Sequence, residues 1–102
     1  MYRNLRVAAI LPCYNEEKLI EKTITTLPDF VDHIIAVDDN STDDTLKIIK
    51  ELAKKNKKVV PIHLDPNEGI GGAYIHGFEW ALNNKADLVF TMAGDAQCNQ
   101  DY

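Results

Sequence analysis

The side chains of this sequence that could do chemistry are concentrated in one stretch, Val37–Thr45, which holds four carboxylates. The spacing of Ser41 and Asp44 predicts a capping box for a following helix, which gives these two residues a structural purpose. Capping does not explain Asp38 and Asp39. Adjacent negative charges repel each other, and such a pair usually faces a ligand, a cation or a hydrogen-bond donor that offsets the repulsion. The structural alternative is a solvated acidic loop that only caps a helix.

Three further clusters have the same setting, after an apolar run and before a helical pattern. They are Pro12–Glu16, the turn-rich Asn67–Gly72, and Gly94–Gln97. Asp95 and Gln97 place two oxygen ligands on alternate residues, which suits Mg²⁺ or Mn²⁺ carrying a diphosphate. A lone Asp after a strand often serves only as a turn or cap residue. The glycines do not form a dinucleotide-binding fingerprint, because they follow the third strand and lack the full spacing.

Hydrophobic periodicity predicts four strands that alternate with three helices. Short apolar runs predict the strands at residues 5–11, 33–37, 59–64 and 88–92, and the second of these runs is rich in β-branched residues. We expect Pro12 to end the first strand and Asn15 to cap the first helix, which Pro28 stops. The second helix runs out through residues 54–56, and the third extends to Asn83–Asn84 with an apolar stripe.

This alternation predicts an α/β fold, with a Rossmann-like parallel sheet, right-handed crossovers and helices on both faces. The first strand is the most apolar and is placed in the centre, which gives the order 3-2-1-4. Pro61 lacks an N–H, so the third strand belongs at an edge. All four polar clusters then meet at the carboxyl edge of the sheet, where ligands bind beside the switch between strands one and four.

Composition limits the possible functions further. The 102 residues predict one domain, residues 1–102, and a net charge of -5 argues against a nucleic acid partner. No apolar run is long enough to cross a bilayer, and no leader pattern opens the chain. Cys13 and Cys98 are far apart and form no metal-binding spacing, which favours a reduced, cytoplasmic setting.

The remaining aromatic and imidazole side chains are ambiguous. Tyr14 either stacks on a base or packs, and packing is favoured when it is considered alone. His33, His63 and His76 are scattered through the sequence and are interpreted as structural. Trp80 lies on the third helix and is assigned to the core.

In their order and spacing, the four clusters resemble the nucleotide-binding half of a family 2 glycosyltransferase of the GT-A fold. Within that family the sequence is most similar to the polyprenyl-phosphate sugar transferases, such as the dolichyl-phosphate mannose synthases. The matching motifs are Pro12-x-Tyr14-Asn15-Glu16, Val37-Asp38-Asp39-x-Ser41-x-Asp43-x-Thr45, Asn67-x-Gly69-x-Gly71-Gly72-Ala73 and Gly94-Asp95-x-Gln97.

The resemblance implies that Pro12, Tyr14 and Glu16 line a nucleoside pocket, and that Gly69 and Gly71 belong to the same nucleotide-binding set. It also implies that Asp39 accepts hydrogen bonds from the base and Asp38 supports that loop. Asp95 is implied as the metal-binding acid, with Gln97 as a further ligand for Mg²⁺ or Mn²⁺.

The implied reaction takes a hexose from a nucleotide-diphosphate sugar, such as GDP-mannose or UDP-glucose. The sugar passes with inversion to a polyprenyl phosphate or glycan acceptor, at the cytoplasmic membrane face in a longer parent protein.

This sequence departs from the family pattern at the metal motif and beyond it. The first acid of the family's Asp-x-Asp motif falls on Ala93, and Cys98–Asp101 stands where the family usually has Asp-Pro. The acceptor half, with any catalytic base, would lie beyond residue 102. We therefore expect a truncated GT-A fold that binds a nucleotide sugar weakly and transfers no sugar alone. Its fourth strand would have an open edge that invites a homo-oligomer.

Two other functions fit a parallel α/β domain of this length. One is a non-catalytic nucleotide-binding module. The other is a signalling receiver domain, which should carry its acid pair after the first strand and a phospho-accepting Asp after the third. Here the first strand leads to Pro12 and Tyr14 instead, so a receiver domain fits poorly.

Overall fold

The computed structural model describes residues 3–92. These residues form four strands and three helices in strict alternation, as the sequence predicts. In chain order they are β1 (Val7–Cys13), α1 (Ile20–Thr25), β2 (His33–Asp38), α2 (Thr45–Lys55), β3 (Val59–His63), α3 (Gly69–Asn83) and β4 (Leu88–Thr91).

The four strands form one parallel sheet in the order β3-β2-β1-β4, which confirms the predicted topology. β1 is central, and all seven of its residues are buried. Pro61 pairs with Ala36 on the edge strand β3, where a missing N–H is tolerated. The strand switch therefore falls between β1 and β4, and the ends of β1 and β2 lie side by side.

Alternate residues of β1 enter two separate cores, because successive side chains point to opposite faces of a sheet. Val7, Ala9 and Leu11 belong to a core that includes Ile20 of α1 and Ile49 of α2. Their neighbours Ala8 and Ile10 face the second core, together with Ala73 and Ala81 of α3. Helices therefore cover both faces of the sheet, as predicted.

The helix α3 approaches β1 closely at Gly77. A methyl group added there would lie 2.6 Å from Cγ2 of Ile10, so only a glycine allows this spacing. Half-buried Trp80 packs against the same core, and its ring meets His33 edge-on with centroids 5.0 Å apart. The core assignment of Trp80 agrees with this packing.

Three predictions about element ends are wrong. Pro12 does not end β1, which continues to Cys13. Ile10 accepts a hydrogen bond from Met92 of the β4 side, and Cys13 accepts one from Asp39 of the β2 side. By alternation Pro12 faces the β4 side, so its missing N–H leaves the pairing of β1 with β2 intact, and β1 continues opposite Val37 and Asp38 of β2.

The other two errors concern helix caps. Asn15 does not cap α1, which begins at Ile20 after a turn, and Ser41 does not form a capping box with Asp44. Neither helix has a side-chain hydrogen bond from its N-cap residue. The side chains of Asn15 and Ser41 instead join the two loops to each other.

Two apolar surfaces stay open in the described part of the chain. One is a groove beside the edge strand β4, of about 650 Å³, lined by Thr26, Leu27, Pro28, Phe30, Leu88, Phe90 and Met92. The other is the outer side of α3, where Ile75, Phe78 and Leu82 are exposed. Among residues 3–92, none of the helices is long and apolar enough to cross a membrane.

Candidate functional site

A cleft of about 160 Å³ opens at the carboxyl edge of the sheet, where the loops after β1 and β2 meet the first turns of α3. Its walls are formed by Pro12, Cys13, Tyr14, Glu16, Asp39, Ile70 and Ala73. The cleft lies at the carboxyl ends of the strands, where open parallel sheets bind ligands. Its volume is below the roughly 300 Å³ at which pockets for drug-sized ligands begin, so these residues enclose only part of a ligand of that size.

Four of the seven residues assigned to nucleotide binding line this cleft. They are Pro12, Tyr14, Glu16 and Asp39. Asp38, Gly69 and Gly71 do not line it, although Asp38 and Gly69 are hydrogen-bonded to parts of the chain that shape it. Asp95 and Gln97, the predicted metal ligands, lie outside the described residues.

Tyr14 presents its ring at the mouth of the cleft, with 49% of its surface exposed. The next residue, Asn15, has a left-handed backbone (φ 52°), a conformation that asparagine tolerates better than most residues. The backbone thus turns directly after Tyr14, whose side chain is half exposed although the preceding Cys13 is buried. Tyr14 is therefore not buried in the core, and its stacking on a base stays a prediction.

The loops after β1 and β2 are joined by several hydrogen bonds that sequence reasoning missed, and three of them are no longer than 2.9 Å. Ser41 Oγ accepts from the Asn15 N–H at 2.9 Å, and Asn15 Oδ1 accepts from the Thr42 N–H at 2.8 Å. Thr45 Oγ1 accepts from the Glu16 N–H at 2.8 Å. Because these bonds bridge separate loops, they fix Tyr14 and Glu16 relative to the acid pair.

Asp43 adds further hydrogen bonds to the contact between these two loops. Its carboxylate accepts hydrogen bonds from the N–H and hydroxyl of Thr45 and from the Glu17 N–H. Partial burial raises the pKa of Asp43, but these hydrogen bonds outweigh burial and hold the pKa below its ordinary value. The charged form of Asp43 is therefore the one that holds the loop.

Asp39 is bound by the start of α3. Its Oδ1 accepts from the Glu68 N–H at 2.7 Å and its Oδ2 from the Gly69 N–H at 2.8 Å. Asn67 adds a bond from its side-chain amide to the backbone carbonyl of Asp39 at 2.9 Å. These donors lie at the positive end of the helix dipole, so the chain itself supplies one partner for this carboxylate.

Asp38 is fully buried beneath the same loop. Its Oδ2 lies 3.0 Å from His63 Nδ1 and accepts weakly from the Ser41 N–H at 3.3 Å. Its Oδ1 has no hydrogen-bond partner among the described residues. The contact gives His63 a structural role, as expected, and it also ties the end of β3 to the acid pair.

Cys13 forms part of the cleft wall but stays a neutral thiol. Burial raises the pKa of this thiol far above its ordinary value, and the charges of Glu16 and Asp38 raise it further. The thiol donates to the Leu11 carbonyl at 3.2 Å. Cys13 therefore contributes a small apolar surface rather than a nucleophile.

The two glycines assigned to nucleotide binding differ in their surroundings. Gly69 has a left-handed backbone (φ 79°) that lets its N–H reach Asp39. Gly71 has open space on its exposed side, with no atom within 4 Å of where a Cβ would stand.

Within residues 3–92, no group of three or more His, Cys, Asp or Glu side chains is placed to hold a metal ion.

The sequence matches the profile of glycosyl transferase family 2 over residues 8–102. It is 40% identical over 101 residues to the UDP-N-acetylglucosamine–dolichyl-phosphate N-acetylglucosaminyltransferase of Methanococcus voltae, covering 86% of this chain and 40% of that protein. It is 36% identical over 93 residues to an undecaprenyl-phosphate mannosyltransferase of Micrococcus luteus, covering 89% and 38%. The chain thus spans about two fifths of the length of these curated relatives.

Solved structures of glycosyltransferases share the fold. The mannosyltransferase PcManGT of Pyrobaculum calidifontis, in complex with GDP-Man and Mn²⁺, superposes with a TM-score of 0.72 at 24% identity, over 89% of this chain and 28% of that one. S. aureus TarS 1-349 in complex with UDP gives 0.70 at 25% identity, over 89% and 28%. The α/β sheet described above is thus that of the GT-A glycosyltransferases. The profile match also excludes the receiver-domain alternative, and the chain belongs to glycosyl transferase family 2.

Proposed function

We propose that this chain supplies the nucleotide-binding part of an inverting glycosyltransferase that moves a hexose from a nucleotide-diphosphate sugar to a polyprenyl phosphate. The observation that carries the proposal is the convergence of Pro12, Tyr14, Glu16 and Asp39 in one cleft. Two relatives are named for transfer to dolichyl or undecaprenyl phosphate, which supports the acceptor class.

In this proposal the cleft holds the nucleoside. The half-exposed ring of Tyr14 offers a flat apolar face on which a base can stack. Asp39 already accepts one N–H on each oxygen, and each carboxylate oxygen can accept a second. A base imide or amine at the cleft mouth would use one of these remaining sites, in an orientation that α3 has fixed in advance.

Asp38, Gly69 and Gly71 have supporting roles near the proposed contact between the base and Asp39. Asp38 holds the loop through Ser41 and His63, which gives it the supporting role. Gly69 acts through Asp39, because its N–H is already donated there. The space beside Gly71 leaves room for the diphosphate to approach the backbone of α3.

The proposal includes a divalent ion that Asp95 and Gln97 would bind. These two residues follow β4 in the sequence. β4 pairs with β1, the strand that leads into the cleft, and this topology favours the assignment. Carboxylate and amide oxygens suit Mg²⁺ or Mn²⁺. When bound, such an ion would stabilise the negative charge that develops on the departing nucleoside diphosphate.

The transfer would form a bond between an acceptor phosphate oxygen and the anomeric carbon, on the face opposite the departing diphosphate. The bond from that carbon to the diphosphate oxygen breaks, and its electron pair leaves with the nucleotide. A phosphate acceptor is already an anion, so it needs positioning more than a base. A polyprenyl chain is held in a membrane, so in this proposal the reaction takes place at a membrane face, on its cytoplasmic side.

A nucleotide-binding module without chemistry is the second candidate. The cleft formed by residues 3–92 offers a site for a base, which is all that such a module requires. Binding without detectable sugar transfer by these 102 residues is the outcome that both candidates share.

A thermal-shift screen tests the binding. We expect UDP, GDP or their sugars, with Mg²⁺ or Mn²⁺, to raise the melting temperature of the chain, since a ligand that binds only the folded state stabilises it. Tyr14→Ala should abolish the shift and Tyr14→Phe should retain it. Phe30→Ala is the matched control, because Phe30 is similarly exposed (38%) but lies at the groove beside β4. No shift with any nucleotide, or equal loss in Phe30→Ala, would refute the proposal.

A further inference from the structure

The outer side of α3 carries an apolar strip at a regular spacing. Gly71, Ile75, Phe78 and Leu82 follow one another at intervals of four, three and four residues. The three large side chains are 61%, 43% and 75% exposed, while Ala73, Gly77 and Ala81 of the same helix are buried against the sheet. The cores described above do not account for these exposed residues.

The spacing identifies the kind of partner. Apolar residues that alternate in steps of three and four form the narrow seam along which two helices pack. A lipid surface would instead require a broad apolar face with basic flanks. α3 contains no lysine or arginine, and the net charge of the chain is -5.

We propose that this strip is a self-association surface, on which α3 of a second copy of the chain packs antiparallel. A two-fold axis midway between residues 76 and 77 places Ile75 opposite Phe78 of the other copy. The same axis places Gly71 opposite Leu82, so the smallest residue of the strip faces the most exposed one, and the dimer and a bound diphosphate would compete for the space beside Gly71. Such a contact is self-complementary, as the interface of a two-fold dimer must be.

The charges at the ends of α3 fit the same arrangement. Glu68 precedes the helix and Lys85 follows it, and the two-fold axis brings Glu68 of one copy opposite Lys85 of the other. Within one chain, Glu68 Oε1 contacts His76 at 3.1 Å, and its side chain remains 44% exposed. A parallel arrangement would instead place like charges together at each end.

The alternative self-association surface is the open edge of β4, which the sequence analysis expects to pair between chains. Among residues 3–92 this strand offers four residues, Leu88–Thr91, and edge strands of that length pair poorly. α3 has fifteen residues and is about 22 Å long. A contact of this size is at the weak end for protein interfaces, so we expect a dissociation constant between about 10 μM and about 1 mM.

Sedimentation equilibrium of the 102-residue chain across that concentration range tests the proposal. We expect a reversible monomer–dimer equilibrium, which Ile75→Glu weakens at least tenfold. Because Ile75 is mostly exposed, this variant should fold, and its circular dichroism and melting temperature check that. Thr91→Pro, which blocks pairing at the edge of β4, should leave the equilibrium unchanged.

A charge exchange tests the antiparallel orientation. Lys85→Glu should weaken the dimer, and adding Glu68→Lys to the same chain should restore it. A chain that stays monomeric to about 1 mM, a dimer lost in Thr91→Pro but kept in Ile75→Glu, or no restoration by the double exchange would each overturn the proposal. Binding of anionic vesicles that Ile75→Glu removes, without a dimer, would overturn it as well.

Discussion

The adjacent carboxylates Asp38 and Asp39 have different partners and different exposure to the site. Asp39 lines the cleft, and its two oxygens accept hydrogen bonds from the backbone N–H groups of Glu68 and Gly69 at the start of α3. Asp38 is buried behind it against His63. The sequence predicts that such a pair must face a ligand, a cation or a donor. The protein itself supplies donors to both acids, which leaves Asp39 oriented and partly satisfied before any ligand arrives.

The contact between His63 and Asp38 gives a direct prediction for stability. His63→Ala removes a hydrogen bond to a fully buried carboxylate, and we expect it to lower the free energy of unfolding by about 1–3 kcal/mol. Urea denaturation measures this loss. His63→Asn is the control, because its amide nitrogen can stand near the position of Nδ1 and should recover much of the loss. A change below about 0.5 kcal/mol in His63→Ala would contradict the role.

Asp43 gives a prediction with a pH dependence. Burial raises its pKa, but the hydrogen bonds from Thr45 and Glu17 hold the pKa below the ordinary value. A lowered folded pKa means that the contribution of Asp43 to stability is complete above about pH 3.9 and is lost as the pH falls through the folded pKa.

The stability gap between the wild type and Asp43→Asn should therefore be widest near neutral pH and should narrow in acid. Urea unfolding of both chains at several pH values, from neutral to the acid limit of folding, checks this. A gap that is the same at every pH would show that the carboxylate charge does not hold the loop.

At the scale of elements, hydrophobic pattern predicted the type and order of all seven helices and strands in the described residues. It also predicted the sheet order, because a fully apolar β1 belongs in the centre and Pro61 belongs at an edge. The caps were not predictable from local sequence. Asn15 and Ser41 have the chemistry of cap residues, but they bond to each other's loops, which depends on strands that lie side by side in space.

The close contact of α3 with β1 predicts opposite effects for two glycine substitutions. Gly77→Ala would push a methyl group into Ile10, so we expect it to destabilise the fold by about 1–2 kcal/mol after the gain in helix propensity is counted. Gly71→Ala enters open space, and should stabilise the chain by roughly 0.5–1 kcal/mol. Thermal and urea unfolding compare the two. Equal stability of both variants would show that α3 does not lie this close to the sheet.

At the scale of the whole molecule, four residues named from the sequence meet in one cleft because parallel strands bring their carboxyl ends to one edge. Pro12 lies at the end of β1, and Tyr14, Glu16 and Asp39 come from the loops after β1 and β2. Ile70 and Ala73 of α3 form another part of the wall. The contribution of Ile70 and Ala73 to the cleft wall could not be predicted, since it depends on how α3 crosses the sheet. The metal assignment to Asp95 and Gln97 stays a prediction.

The central claim is that this cleft binds a nucleoside diphosphate, and amide chemical-shift mapping on the ¹⁵N-labelled chain tests it most directly. Addition of UDP or GDP with Mg²⁺ should shift the amide signals of Tyr14, Glu16, Asp39, Ile70 and Ala73, and Tyr14→Ala should reduce these shifts. Shifts confined to the groove beside β4, or no shifts at nucleotide concentrations of about 10 mM, would contradict the account.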